Sequence, residues 1–265
     1  MSSDERPDPR RTDEELRAYW SGLDLLWDAE SAPPPPARRR TLDVGRIVQA
    51  AISIADDEGL EAVSMRRVAR KLETGPMSLY RHAPDKDALV LLMIDAALSE
   101  AATPGAESPS GDWRSDLRAM AETNWTLMRR HRWLPEAMLV RPPFTPRGVA
   151  GLEWALGIFD AFDIGIGTKM QFVAAVHFTV LSAALNAAIE DRTRARLQMS
   201  DAEIMSSSTA VIERILETGA YPRVMRFIVE AEHLDETGQM LAAVELILDG
   251  IGTRLAADEG KPHRH

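Results

Sequence analysis

Residues 64–82 read SMRRVARKLETGPMSLYRH, and Lys86 follows four positions later. Ser64 suits a helix N-cap, because its hydroxyl can accept a hydrogen bond from a free backbone N–H of the first turn. Met65, Val68, Ala69 and Leu72 recur at helical spacing and give a short helix over Met65–Leu72 with one apolar face. Glu73-Thr74-Gly75 is a turn, in which Gly75 is expected to take the φ that tight helix-to-helix turns often require. Pro76 suits the first turn of the next helix, where its missing N–H costs nothing. Leu79 points back toward the core. Two short helices joined by such a turn form a helix-turn-helix.

The neighbouring segments complete a small helical unit. Leu42–Glu58 carries a buried stripe of Ile47, Ala50, Ala51, Ile54 and Ala55, and Gly59 stops it. After Pro84-Asp85 an apolar helix runs to about Leu98, with Leu89, Leu92, Met93 and Leu98. Upstream, Thr12–Asp28 reads as a helix whose apolar face is Leu16, Tyr19, Trp20, Leu23, Leu26 and Trp27. Pro33–Pro36 then forms an extended spacer, and the first dozen residues are expected to be disordered. Downstream, 103–111 (TPGAESPSG) reads as a linker. Helices are expected over Asp112–His131, Pro135–Val140, Arg147–Phe162, Thr168–Arg196, Asp201–Glu217, Pro222–His233 and Asp235–Ala257, with a break at Gly165-Ile166-Gly167. No segment alternates as a strand does, so the fold class is all-α. The expected organisation is an N-terminal extension over 1–36, a three-helix helix-turn-helix unit over 37–98 and a larger helical domain over 112–258.

Composition bounds the function. The chain has 265 residues, 45% hydrophobic and 27% charged, enough for one large or two modest cores. It contains no cysteine, which excludes disulfides and thiolate chemistry. No apolar run is read as reaching the roughly 20 residues that span a bilayer, and the N-terminus lacks the apolar core of a signal peptide. A cytoplasmic protein with no membrane partner is expected. Net charge is −10, yet residues 64–86 hold six cations against two anions. A local basic face on an acidic body suits DNA, and the acidic remainder disfavours binding it elsewhere. Arg38-Arg39-Arg40 is either an arm for an adjacent minor groove or a solvated linker.

The order helix, Gly, Ser-capped helix, turn, Pro-started helix, Tyr-Arg-His and Lys resembles the tetracycline-repressor (TetR) family of transcriptional regulators. The residues that carry the resemblance are AAISIADDEGL (50–60), SMRRVARKL (64–72), GPMSLYRH (75–82) and KDAL (86–89). It is ungapped over Val63–Leu89 and covers about a quarter of the chain; the remainder agrees only in being helical. The resemblance implies DNA contacts by Ser64, Arg66, Arg67, Thr74, Pro76, Met77, Ser78, Tyr80, Arg81, His82 and Lys86. Ser64 is matched to a phosphate, and Arg66 to a base edge or a phosphate. Pro76, Met77 and Ser78 are matched to base edges, where apolar side chains suit thymine methyl groups. Tyr80, His82 and Lys86 are matched to phosphates, which orient without reading sequence. Tyr80 also fits packing on the preceding helix, and Arg81 adds a cation near the groove.

The resemblance further implies a homodimer built on Thr168–Ala188 and Asp235–Ala257. Their apolar stripes are Phe172, Val176, Val180, Ala183 and Ala187 on the first, and Met240, Val244, Ile247 and Ile251 on the second. Trp125, Met128, Trp133, Met138, Phe144, Trp154, Met170 and His177 are the candidate lining of an effector cavity. Each alone fits a helical core; together, Met and Trp side chains suit a flat hydrophobic molecule. No metal site or cofactor is expected, and no enzyme: His131 and His177 have no partner at catalytic or metal-ligand spacing. The function read is a ligand-responsive DNA-binding regulator, a repressor released from double-stranded palindromic operator DNA by a small hydrophobic effector. The other reading is a helical small-molecule binding or scavenging protein with an incidental basic segment. Binding to duplex DNA separates the two.

Overall fold

The computed structural model describes residues 22–28, 30, 43–101, 108–140, 144–198, 201–231 and 234–259. The Pro33–Pro36 spacer, the Arg38–Arg40 arm, the start of the Thr12–Asp28 helix and part of the 103–111 linker lie outside these residues. The elements are α1 (22–28), α2 (Val44–Glu58), a single 3-10 turn (Leu60–Ala62), α3 (Met65–Lys71), α4 (Pro76–Tyr80), α5 (Lys86–Ala101), α6 (Trp113–Arg130), α7 (Leu134–Val140), α8 (Pro146–Gly157), α9 (Ile166–Leu197), α10 (Asp201–Thr218), α11 (Pro222–Glu230) and α12 (Glu236–Glu259). No strand occurs among the described residues.

α5 lies at the centre. Ala88 to Ile94 is buried without interruption, and Ala97 is buried as well. Burial of nearly two consecutive turns means that neighbours cover every side of the helix, as an all-round apolar helix demands. α2, α6, α7 and α8 each pack on it. α1 takes the remaining side. A Cβ on Gly22 would stand 2.7 Å from Ala88 Cα, so the two backbones meet where only glycine leaves room. Leu23 and Leu26 enter the same core. Trp27 Nε1 donates to the Phe144 carbonyl at 3.1 Å, which ties α1 to the segment leading into α8. The Arg147 backbone N–H donates to Asp95 on α5 at 2.9 Å, so α8 begins against α5 as well. The described part of the N-terminal extension therefore docks on its own chain.

The second layer is α6, α9 and α12, packed side by side. Asp112 caps α6, its carboxylate accepting from the Arg114 and Ser115 backbone N–H groups. Hydrogen bonding to Ser115 comes first among the causes that hold the Asp112 carboxyl below its ordinary range. Arg114 bridges α6 to α12 through Glu245 (2.7 Å) and Asp249 (2.6 Å). Two expectations are corrected here. Of the stripes read as dimer faces, Phe172, Val176, Val180 and Ala187 on α9 and Met240, Val244 and Ile251 on α12 are buried within the protomer, and Ala183 and Ile247 are half-buried against the same core. A helix that is apolar all round cannot reveal from sequence which side its own chain will cover. The apolar residues left exposed on these helices include Phe178 and Ile189 on α9 and Leu246 on α12. Second, α9 does reach membrane-spanning length and apolarity, with a mean hydropathy of 1.8 over its most apolar window. The interspersed polar residues conceal this from a search for unbroken apolar runs, and 44% of that window is buried inside the protein.

Gly22→Leu is expected to force α1 off α5. Overpacking of this kind costs about 1–3 kcal/mol, and each kcal/mol lowers the melting temperature of a domain this size by about 2–4 °C. Thermal unfolding followed by circular dichroism checks it; an unchanged midpoint would show that α1 contributes nothing to the core.

Candidate nucleic-acid interface

Local chemistry sets the helix-turn-helix. Asp43 caps α2, accepting from the Arg46 N–H at 2.8 Å, and Gly59 at φ 88 ends it. Val63 is fully buried and Ser64 then caps α3, its Oγ accepting from the Arg67 N–H at 3.3 Å. Met65, Val68 and Ala69 are buried as the spacing predicts. The turn differs from the reading: Glu73 takes the left-handed conformation at φ 53, while Gly75 is extended at φ −79 and caps α4. The Thr74 N–H reaches back to the Ala69 carbonyl at 3.0 Å, which closes the end of α3 over Glu73. Pro76 opens α4, and Leu79, with no exposed surface, anchors it.

The remaining side chains of α3 and α4 sort by task. Arg67 pairs with Glu58 on α2, and Lys71 Nζ donates to Ser53 Oγ at 2.7 Å. Lys86 Nζ donates to the Leu60 carbonyl at 3.3 Å. These cations hold the unit together at exposed positions, where each pair is worth little. Arg66, Arg70 and Arg81 are exposed and have no acidic partner among the described residues. Met77 is 76% exposed, an unusual position for a long apolar side chain on a helix of five residues, and Tyr80 beside it is 44% exposed. Thr74, Ser78 and His82 are half-buried at the edge of the same surface, and Ser64 and Pro76 are exposed on it. The chain thus presents guanidinium groups, hydroxyls, a phenol, an imidazole and a thioether from one short helix and its flanks. Guanidinium groups suit guanine edges or phosphates, and the thioether suits a thymine methyl.

The candidate effector residues differ in burial and in partners. Trp125 is buried, with Nε1 donating to Thr237 Oγ1 at 3.0 Å and Arg129 over its ring. Met128, Trp133 and Met138 are buried, whereas Phe144 and Met170 are exposed. Trp154 is half-buried, and its Nε1 has no partner among the described residues. His177 stacks edge-on against Phe178, and burial holds its imidazole below the ordinary histidine range. A cleft of about 290 Å³ lies between α5 and α6, lined by Glu100, Ala101, Glu122, Thr123, Thr126, Leu127 and Arg130. Among the described residues, no three histidine or carboxylate side chains form a group placed to hold a metal ion.

Sequence reasoning left His131 without a partner. In the fold it lies between Asp56, 75 residues away in sequence, and Glu100, 31 away. The local sequence carries no sign of this, because the contact joins α2, α5 and the α6–α7 turn.

Comparison with known proteins agrees with this geometry. The family model described as "Bacterial regulatory proteins, tetR family" matches residues 47–93, and "Tetracyclin repressor-like, C-terminal domain" matches 103–255. The HTH-type transcriptional repressor DrrR1 of Streptomyces coeruleorubidus is 34% identical over 242 residues, covering 90% of this chain and 87% of that protein. The Streptomyces coelicolor TetR family protein ActR, solved in complex with actinorhodin, superposes with a TM-score of 0.69 at 26% identity, over 81% of this chain and 97% of ActR. ActR has also been solved with (S)-DNPA, at 25% identity and a TM-score of 0.64, covering 81% of this chain and 99% of that one.

The His177 shift fixes the sign of a pH effect. A histidine depressed by burial favours the folded state while neutral, so its contribution is complete above the ordinary histidine value of about 6.5 and is lost as pH falls below it. His177→Gln is expected to flatten the acid side of the stability profile. Denaturant unfolding at a series of pH values checks this, and parallel profiles for the two proteins would refute it.

Proposed function

Because the chain belongs to the tetracycline-repressor family of bacterial transcriptional regulators, we propose that α4 is its recognition helix and that the surface around it is the operator contact. The observation that carries this is the division of labour among the cations: Arg67, Lys71 and Lys86 tie the unit together, while Arg66, Arg70 and Arg81 face solvent beside exposed Met77 and Tyr80. Arg66 reads a base edge or holds a phosphate. Pro76, Met77 and Ser78 face the bases, with Met77 against a thymine methyl. Ser64, Thr74, Tyr80, Arg81 and His82 orient α4 on the backbone, and Lys86 reaches a phosphate when it leaves the Leu60 carbonyl. Arg67 acts from its pair with Glu58, as a positioning group for α3.

The operating unit is a homodimer, which places two recognition helices about one DNA turn, roughly 34 Å, apart on a palindromic site. The exposed apolar residues Phe178 and Leu246 lie on α9 and α12, which pack side by side, and support this pairing. A small hydrophobic effector bound in the C-terminal half shifts α5 and spoils the half-site spacing. A tenfold loss of affinity needs only about 1.4 kcal/mol of difference between the two states. The DrrR1 relationship supports repression, and the ActR complexes support control by a small molecule. The cytoplasm is where such a regulator meets DNA and effector together.

An Arg66→Ala, Tyr80→Ala double variant is expected to bind a duplex selected by the wild-type protein at least tenfold more weakly, since a base contact by Arg66 is worth about 1–3 kcal/mol and Tyr80 adds a backbone contact. Fluorescence anisotropy against that duplex checks it, and undiminished affinity in a folded variant would reject the assignment. Phe178→Asp combined with Leu246→Asp is expected to yield monomers and to weaken DNA binding with them; analytical ultracentrifugation reads the first effect, and a dimer as tight as wild type would place the interface elsewhere.

A further inference from the structure

His131 occupies the α6–α7 turn and is 3% exposed. Its Nδ1 is 2.8 Å from Asp56 Oδ1, on the last turn of α2, and its Nε2 is 3.3 Å from Glu100 Oε2, near the end of α5. Trp133 Nε1 donates to the same Asp56 oxygen at 2.8 Å. Arg130 approaches Glu100 at 2.9 Å, and Arg132 turns away to Asp191 on α9 at 3.3 Å. Ionised carboxylates only accept hydrogen bonds, and a neutral imidazole donates from one nitrogen. Both contacts are therefore hydrogen bonds only when the ring carries both protons. The last turn of α2 faces two ways: Asp56 meets His131, and Glu58 two residues on holds Arg67 of α3.

We propose that His131 is a positioning residue for operator binding, its imidazolium joining the body of the protein to α2 and α5 and, through Glu58 and Arg67, fixing α3. The inference rests on the reading of α3 and α4 as the DNA interface. Without the ring, Glu100 keeps Arg130 and Asp56 keeps Trp133, and the bridge between the two carboxylates is lost. The helix-turn-helix then loses its fixed orientation and operator affinity falls.

The test uses the full chain and a duplex that the wild-type protein selects from a random-sequence pool. Affinity is measured for wild type and His131→Gln, whose side-chain amide cannot bridge both carboxylates as the doubly protonated ring does. The variant is expected to bind about tenfold more weakly, the scale of one charge-assisted hydrogen bond. Should His131→Gln not fold, the ¹⁵N shifts of the wild-type ring carry the test: both nitrogens are expected to be protonated. Undiminished affinity in a folded His131→Gln, or a ring with a single N–H, would overturn the inference alone. A wild-type protein that selects no duplex would overturn the DNA reading and this inference with it.

Discussion

α5 is apolar on every side, and a helix of that kind cannot sit at a surface. Burying Ala88 to Ile94 requires neighbours all round, at a gain of roughly 25 cal/mol for each Å² of apolar area removed from water. That requirement explains the arrangement of the first half of the chain. α2 covers one side, α6, α7 and α8 cover others, and α1 closes the remainder through Gly22, Leu23 and Leu26. It also makes α5 the shared wall of the two halves: Lys86 at its start borders the recognition surface, and Glu100 near its end meets the α6–α7 turn. A displacement of α5 would be felt at both ends, as the proposed link between effector and DNA requires.

Much of this was legible in the sequence because it is encoded locally. The cap at Ser64, Pro76 at a helix start and the 3.6-residue stripes of α2 and α3 are decided within a turn or two of chain. The failures have a common origin. Gly75 was the obvious candidate for the left-handed residue, but the chain turns two residues earlier, where the Thr74 N–H can still reach the Ala69 carbonyl, and Glu73 takes φ 53. The cost of about 1–2 kcal/mol for a non-glycine residue there is borne by the tertiary fold. The stripes assigned to a dimer were core, because an apolar helix buried by its own chain looks the same in sequence as one buried by a partner. His131 and Asp56 are 75 residues apart, and no periodicity joins them.

The charge distribution reconciles an acidic protein with a polyanionic ligand. In the C-terminal half the basic residues are largely committed to acidic ones: Arg114 and Arg118 to Glu245, Arg129 to Asp191 and Glu236, Arg132 to Asp191, and Arg192 to Glu136. Several of these join α6 and the turn after it to α9 or α12, so they hold the second layer in register while leaving its exterior with surplus negative charge. In the helix-turn-helix the balance reverses, since three of six cations serve structure and three remain toward solvent. A negative body with one positive face steers DNA to that face and repels it elsewhere. The net charge of −10 is therefore compatible with operator binding and favours the proposed surface around α4 over the rest of the protein.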